Sequence, residues 1–141
     1  ALLNDCLPQK LPRYLMGVGL PGNILESIHR GMDMFDCVLP TRNARHGLIY
    51  TPEGVINIKN QKWAKDFRPV NDPPLNYLDK VYSRAYLRHL FKAGEALGPQ
   101  LTSVHNLFFY QWLMQKAREH IINRSFVDWK DYLMPFLSRR L

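Results

Sequence analysis

The stretch MDMFDCVLPTRNARHG, residues 32–47, places a carboxylate inside a short apolar run and follows it with two arginines and a histidine. The apolar part predicts a β-strand, whose side chains alternate between two faces. One face carries Met34, Asp36 and Val38, and the other carries Asp33, Phe35 and Cys37. A carboxylate is costly to bury and a basic loop needs an anionic partner, so the stretch predicts a functional site around Asp36.

The residues before this stretch predict a β-α-β unit. Two strand-like runs, RYLMGV and DMFDCVL, flank the segment PGNILESIHRG. Apolar residues of that segment keep helical spacing at Ile24, Leu25 and Ile28, between Pro21 and Gly31. Strands connected in this way run parallel, and the chemistry of such folds collects at the carboxyl ends of the strands. Asp36 lies at that end, and we predict that residues 40–47 leave the same edge as a loop.

Composition and charge limit the class of protein. The chain has 141 residues, of which 46% are hydrophobic and 12% aromatic, so we expect one domain or part of one. It carries 19 Lys and Arg against 12 Asp and Glu, a net charge of +7, which favours a polyanionic partner such as nucleic acid without requiring one.

Cys6 and Cys37 are too isolated for a disulfide framework, which fits a reducing cytoplasm. Because no apolar run approaches the length of about 20 residues that spans a membrane, we expect no membrane segment. The first residue is Ala1, and we interpret the chain as a fragment or a processed product.

The remaining chain predicts a hairpin and then helices. LIYTPEGVINI, residues 48–58, has two β-rich runs about a Pro-Glu-Gly turn. NQKWAKDFRP, residues 60–69, is predicted as a short helix or turn. The basic residues around it are interpreted as a solvated face: Lys59, Lys62, Lys65 and Arg68.

Two strong helices and a shorter one are predicted to follow. The first has an apolar stripe of Tyr82, Ala85, Tyr86, His89, Leu90 and Ala93. The second, over residues 99–123, is predicted to bury a face that includes Leu101, Val104, Phe108 and Trp112. The last begins near Ser125, where Asp128 permits a capping box, and ends around Pro135.

Three segments together resemble a known family. Residues 12–47, PRYLMGVGLPGNILESIHRGMDMFDCVLPTRNARHG, are similar to the tRNA-guanine transglycosylases, the queuine tRNA-ribosyltransferase family, and YSRAYLRHL and HNLFFYQWLMQ continue the match. The resemblance implies an α/β fold, the carboxyl-terminal portion of a (β/α)₈ TIM barrel with an inserted, normally zinc-binding subdomain and closing helices. It implies three parts: residues 1–47 as the last β-α-β unit of the barrel, 48–98 as the subdomain and 99–141 as the closing helices.

The family exchanges guanine at the wobble position of certain tRNAs for a 7-deazaguanine base. Asp36 matches the family's nucleophile, which attacks C1′ of the ribose and is then displaced by the incoming base. On spacing alone, Asp36 fits equally well as an acid that caps a loop amide.

The resemblance also assigns binding residues. Two segments match tRNA-contacting segments of the family: one has Gly17, Val18, Gly19, Leu20, Pro21, Gly22 and Asn23, and the other has Thr41, Arg42, Asn43, Ala44 and Arg45. Tyr14 and Met16 match positions that line the base pocket, although residues of their type also suit a core.

The family's zinc site departs from its usual pattern in this chain. The three cysteine positions hold Pro74, Asn76 and Asp79, and only His105 remains of the four ligands. Structural zinc needs four good donors, so we expect no zinc and no other cofactor, with an improvised site on Asp79 and His105 as the alternative. Without metal, His105 is expected to be a packed helix histidine.

The sequence also lacks parts that the reaction needs. Retaining exchange requires a general acid/base and groups that read guanine, which the family supplies from its amino-terminal half. The expected partners are therefore tRNA, the 7-deazaguanine base and that missing half, and the family also allows a homodimer. The alternative hypothesis is a noncatalytic tRNA-binding or dimerisation module, or an inactive remnant of the enzyme.

Overall fold

A parallel pair of strands forms the first part of the protein. A computed structural model describes residues 6–141. Strands β1 (Tyr14–Met16) and β2 (Met34–Asp36) pair in parallel, with Met16 opposite Asp36, and helix α1 (Pro21–His29) connects them. Ile24 and Leu25 of α1 are buried. The predicted β-α-β unit is confirmed.

The segment after β2 is a helix, so the prediction of a loop over residues 40–47 is wrong. Helix α2 (Leu39–Arg45) follows Val38, whose carbonyl accepts from the amide of Arg42 at 2.9 Å. Pro40 lies in the first turn, where its missing N–H removes no helical hydrogen bond and its fixed φ favours the helix. Gly47, at φ +84°, takes the left-handed conformation that lets the chain turn into the next strand.

The predicted hairpin is confirmed and lies between two hydrophobic clusters. Strands β3 (Leu48–Thr51) and β4 (Gly54–Asn57) are antiparallel, with Ile49 opposite Ile56 and Tyr50 opposite Val55. The first pair packs in a cluster with Ile58, Trp63, Val70, Leu87 and Leu90. The second pair packs in a cluster with Leu25, Phe109, Leu113, Ala117, Phe126, Leu133 and Leu137. Both faces of the hairpin are therefore covered.

A short 3₁₀ turn (Gln61–Trp63) and two helices, α3 (Leu78–Val81) and α4 (Arg84–Ala93), follow the hairpin. Ser83 caps α4, because its Oγ accepts from the amide of Tyr86 at 3.2 Å. The predicted stripe of α4 is partly wrong, since Tyr86 and His89 are exposed and the buried residues are Leu87 and Leu90. Leu87 and Leu90 pack in one cluster with three isoleucines and Trp63, and Tyr82 is partly buried against the same cluster.

Two long helices, α5 (Leu97–Ile122) and α6 (Phe126–Leu137), complete the fold. The face of α5 predicted to be buried is only half-buried. Its most buried line is instead Thr102, His105, Asn106, Phe109, Leu113 and Ala117. Three of these are polar and find buried partners, which a search for apolar residues overlooks.

Helix α6 begins where it was predicted, directly after Ser125, but its end and its cap differ from the prediction. It continues past Pro135 to Leu137, whose side chain is buried with that of Leu133. The predicted capping box is wrong, because Ser125 makes no side-chain cap. Its hydroxyl instead lies 2.8 Å from Nδ1 of His120.

Residues 6–141 form a mixed α/β structure with two two-stranded sheets. The barrel and the division at residues 47 and 98 stay predictions. No helix in this range is long and apolar enough to cross a membrane.

Candidate active site

Asp36 lies exposed at the carboxyl end of β2, where two donors meet one of its oxygens. The hydroxyl of Tyr14 donates to Oδ1 at 2.6 Å, and the backbone N–H of Gly17 donates to the same oxygen at 3.2 Å. Gly17 directly follows β1 and has a φ of +76°, which glycine adopts without strain. The other oxygen, Oδ2, is left free of these two contacts.

These hydrogen bonds favour the charged form of the acid. The Tyr14 hydroxyl, and after it the Gly17 amide, hold the pKa of Asp36 below its usual range. The same hydrogen bond raises the pKa of Tyr14, because the carboxylate stabilises the protonated phenol. Asp36 is therefore a carboxylate at neutral pH, with Tyr14 as its proton donor in the hydrogen bond. Such an acid can act as a nucleophile and cannot itself supply a proton.

Asp33 takes no part in this arrangement. Its Oδ2 accepts from the amide of Arg13 at 2.8 Å, at the beginning of the strand pair. Tyr14 and Met16, in contrast, lie on β1 beside Asp36, and both are largely exposed. Both are surface residues in the described part of the chain, and the alternative of a core role also stays open. Their role in a base pocket stays a prediction.

The first predicted tRNA segment divides between a loop and a helix. Gly17 to Leu20 form the loop, and Pro21, Gly22 and Asn23 form the first turn of α1. Gly19 is buried, and a Cβ placed on it would lie 2.1 Å from Sγ of Cys37, so this position requires glycine. The carbonyl of Gly19 also accepts from the hydroxyl of Tyr110 on α5. The loop is thus packed down beside the strand that carries Asp36.

The second predicted tRNA segment is helix α2. Arg42 and Arg45 are exposed on it, and Thr41 is half-buried, with its hydroxyl donating to the carbonyl of Val38 at 3.3 Å. Asn43 donates to the hydroxyl of Tyr50 at 2.6 Å, and Ala44 is fully buried. The two arginines are therefore exposed to solvent, while Asn43 and Ala44 contact the rest of the protein.

Sequence reasoning missed the residues that hold α2 in place. Thr102 of α5 donates to the carbonyl of Ala44 at 3.2 Å. Asn106, one turn later, donates to the carbonyls of Pro40 and Leu48 at 2.9 and 3.0 Å and accepts from the amide of Tyr50 at 3.0 Å. Their signal in the sequence is a pair of polar residues at i and i+4 in line with the apolar Phe109 and Leu113.

The four positions of the family's zinc site differ in burial. Asn76, Asp79 and His105 are buried together, whereas Pro74 is exposed. Among residues 6–141, no group of three or more His, Cys, Asp or Glu side chains is arranged to hold a metal ion. The absence of zinc stays a prediction.

The parallel strands, with a carboxylate at their carboxyl end and a basic helix beside it, define an α/β protein whose site lies where such folds carry their chemistry. Comparison with known proteins gives the family. The family model described as queuine tRNA-ribosyltransferase matches residues 1–137. The chain belongs to this family.

Several bacterial relatives are similar to almost the whole chain. A queuine tRNA-ribosyltransferase of Aquifex aeolicus is 46% identical over 137 residues, which are 97% of this chain and 36% of that protein. Proteins of the same name from Clostridium perfringens and Agrobacterium fabrum are each 52% identical, over 88% and 86% of this chain and 33% and 32% of their own lengths. The chain thus spans about a third of the curated relatives that it matches.

Proposed function

We propose that this chain is the carboxyl-terminal part of a tRNA-guanine transglycosylase and that Asp36 is its nucleophile. The observation that carries the proposal is the geometry of Asp36: an exposed carboxylate at the end of a parallel strand, held anionic by Tyr14 and Gly17. A carboxylate kept ionised and accessible is what attack on a glycosidic carbon requires. Family membership supports the same reaction.

In the proposed reaction, Oδ2 of Asp36 attacks C1′ of the wobble ribose, because Tyr14 and Gly17 both donate to Oδ1. The C1′–N9 bond breaks, and guanine leaves with the electron pair and takes up a proton. A ribosyl ester of Asp36 results. The ring nitrogen of an incoming 7-deazaguanine then attacks C1′, the ester bond breaks, Asp36 returns as a carboxylate and the incoming base loses its proton. Two inversions give net retention.

The proposed tRNA interface is the exposed face of α2 together with the loop of residues 17–20. Arg42 and Arg45 are exposed on the helix that directly follows Asp36. A guanidinium group can bind phosphate, pair with a base edge or stack on a splayed base, which suits recognition of an anticodon loop. Tyr14 and Met16 lie beside Asp36, where an aromatic ring and a thioether can contact the departing base.

A complete active site needs protein that this chain does not contain. The proton transfers require an acid/base that Asp36, being held as an anion, cannot provide. Apolar side chains on and around the strand pair, including Leu11, Met16 and Met34, are also exposed. We therefore propose that the amino-terminal part of the enzyme covers the strand pair and supplies the acid/base. A homodimer stays a prediction.

The test joins the amino-terminal part of a related transglycosylase to this chain, ahead of residue 13, and compares Asp36→Asn with Asp33→Asn. Both substitutions remove one charge from the region of β2, but Asp33 accepts from the amide of Arg13 and takes no part in the contacts of Asp36 with Tyr14 and Gly17. We expect Asp36→Asn to abolish guanine exchange and the covalent tRNA adduct on a denaturing gel, and Asp33→Asn to retain both. A folded, tRNA-binding protein that never forms the adduct would favour the alternative, a noncatalytic tRNA-binding module.

A further inference from the structure

A compact group of four polar side chains is buried between the hairpin and α5. Its members are Asn71, Asn76, Asp79 and His105, called here the amide–imidazole cluster. Each is at most 8% exposed. Buried polar groups cost free energy unless they are paired, so a group of this size needs an explanation.

The imidazole ring of His105 is at the centre of the cluster. Its Nδ1 lies 3.2 Å from Oδ1 of Asp79 and 3.3 Å from Nδ2 of Asn76. Its Nε2 lies 3.1 Å from the carbonyl oxygen of Tyr50 on β3 and 3.3 Å from Nδ2 of Asn71. Both ring nitrogens therefore meet partners from other segments of the chain.

The carboxylate of Asp79 accepts three hydrogen bonds within the cluster. Its Oδ2 accepts from the side-chain amides of Asn71 and Asn76, each at 3.2 Å, and from the backbone amide of Leu75 at 3.0 Å. The side-chain oxygen of Asn76 accepts in turn from the amide of Leu78 at 2.8 Å. The network thus ties residues 71–79 to α5 and, through Tyr50, to the hairpin.

The cluster does not fit the zinc ion that the family's pattern implies. One histidine nitrogen and one carboxylate supply two donors, whereas a structural zinc site takes four. Asn71 and Asn76 direct NH₂ groups into the cluster, and these carry partial positive charge toward the place of the cation. Pro74 has no ligating side-chain atom and is exposed.

We propose that the amide–imidazole cluster takes the place of the family's structural metal and joins residues 71–79 to α5 and β3 by hydrogen bonds alone. Three of its members, Asn76, Asp79 and His105, stand at positions that the family uses for ligands, and they join residues 76–79 to α5 as a metal bound there would. The contact of His105 with the Tyr50 carbonyl adds β3 to this link. The amide–imidazole cluster then requires neither metal nor thiols, so chelators and thiol oxidants should leave its hydrogen bonds intact.

The first experiment measures metal content and its effect on stability. The protein, purified without a metal-binding tag, is assayed for zinc by elemental analysis and unfolded in urea with and without a chelator. We expect zinc far below one ion per chain and the same unfolding midpoint in both buffers. Stoichiometric zinc, or a midpoint lowered by the chelator, would overturn the proposal.

The second experiment disrupts the hydrogen bonds of the amide–imidazole cluster. Asp79→Asn should lower the folding equilibrium constant about tenfold or more, since it removes the charged acceptor of three buried donors. Asp128→Asn is the control; this exposed carboxylate lies in the first turn of α6, so its loss should lower the constant by about fivefold or less. Equal stability of the Asp79 and Asp128 variants would contradict a joining role.

A third variant keeps the proposal testable even if Asp79→Asn does not fold. Pro74→Cys, Asn76→Cys and Asp79→Cys together restore the thiols beside His105. We expect this triple variant to bind one zinc ion per chain and to lose it when His105→Leu is added. A folded triple variant that binds no zinc would show that the cluster does not occupy the place of the metal.

Discussion

At the scale of single residues, ionisation at the candidate site depends on Tyr14. Its hydroxyl contributes the largest effect on the pKa of Asp36, and the Gly17 amide adds a smaller effect in the same direction. A hydrogen bond of this kind orients the carboxylate and favours its charged form.

Tyr14→Phe removes that hydrogen bond and keeps the ring. The pKa of Asp36 should rise, so the carboxylate should be lost at higher pH than in the unchanged protein. Titration of the Asp36 carboxyl carbon by NMR measures this directly. Tyr132→Phe, at an exposed tyrosine of α6, is the control and should leave the Asp36 titration where it is. An unchanged pKa in the Tyr14 variant would show that the hydrogen bond has no influence in solution.

Arg42→Ala should weaken tRNA binding by about 1 to 3 kcal/mol if the guanidinium reads a base edge. Lys80→Ala removes an equal charge from α3 and should change the affinity much less. Binding of a tRNA anticodon stem-loop to the joined protein, measured at several salt concentrations, separates a specific contact from general attraction. Equal losses in the two variants would indicate that only net charge matters.

The sequence indicates the candidate site residues but not the residues that support them. Asp36 ends a short strand and the two arginines follow it closely, an unusual pattern that marks them as candidates from the sequence alone. Thr102 and Asn106 were missed because polar residues on a helix usually face water, and their value comes from carbonyls more than 50 residues away in the chain.

At the scale of elements, α5 determines where α2 lies. Thr102 and Asn106 hold backbone groups at both ends of α2 and at the start of β3. Helix α2 was not predicted, because it is short, contains a proline and has little apolar periodicity. Tertiary hydrogen bonds supply what its local sequence lacks.

Asn106→Ala should destabilise the chain by about 2 to 4 kcal/mol, because it leaves buried carbonyls and the Tyr50 amide without their partner. Gln111→Ala, at an exposed position of the same helix, should cost about 0.5 kcal/mol or less. Urea unfolding followed by tryptophan fluorescence measures both values. A cost for Asn106 no larger than that for Gln111 would show that α2 does not depend on these contacts.

At the scale of the whole molecule, the proposed nucleophile Asp36 and the basic helix α2 follow one another directly in the chain. The chain spans about a third of the length of the relatives that it matches, so the complete reaction stays a proposal. A (β/α)₈ barrel has eight strands and about 250 residues. Two parallel strands are therefore too few to predict a closed barrel from the sequence pattern of this chain.

The 141-residue chain alone should therefore not incorporate labelled guanine into tRNA, whereas the joined protein should. The measurement is transfer of radioactive guanine to tRNA, with circular dichroism to verify that both proteins are folded. Incorporation by the purified short chain at a rate comparable with the joined protein would contradict the need for a second part.

The burial of both faces of the hairpin affects how the protein unfolds. Ile49 and Ile56 belong to one hydrophobic cluster, and Tyr50 and Val55, on the same two strands, belong to the other. Neither hydrophobic cluster can unfold without exposing one face of the shared hairpin to solvent. We therefore expect the two clusters to unfold together as a single cooperative unit. Amides in α4 and α6, which touch different clusters, should then exchange with deuterium at the same limiting free energy.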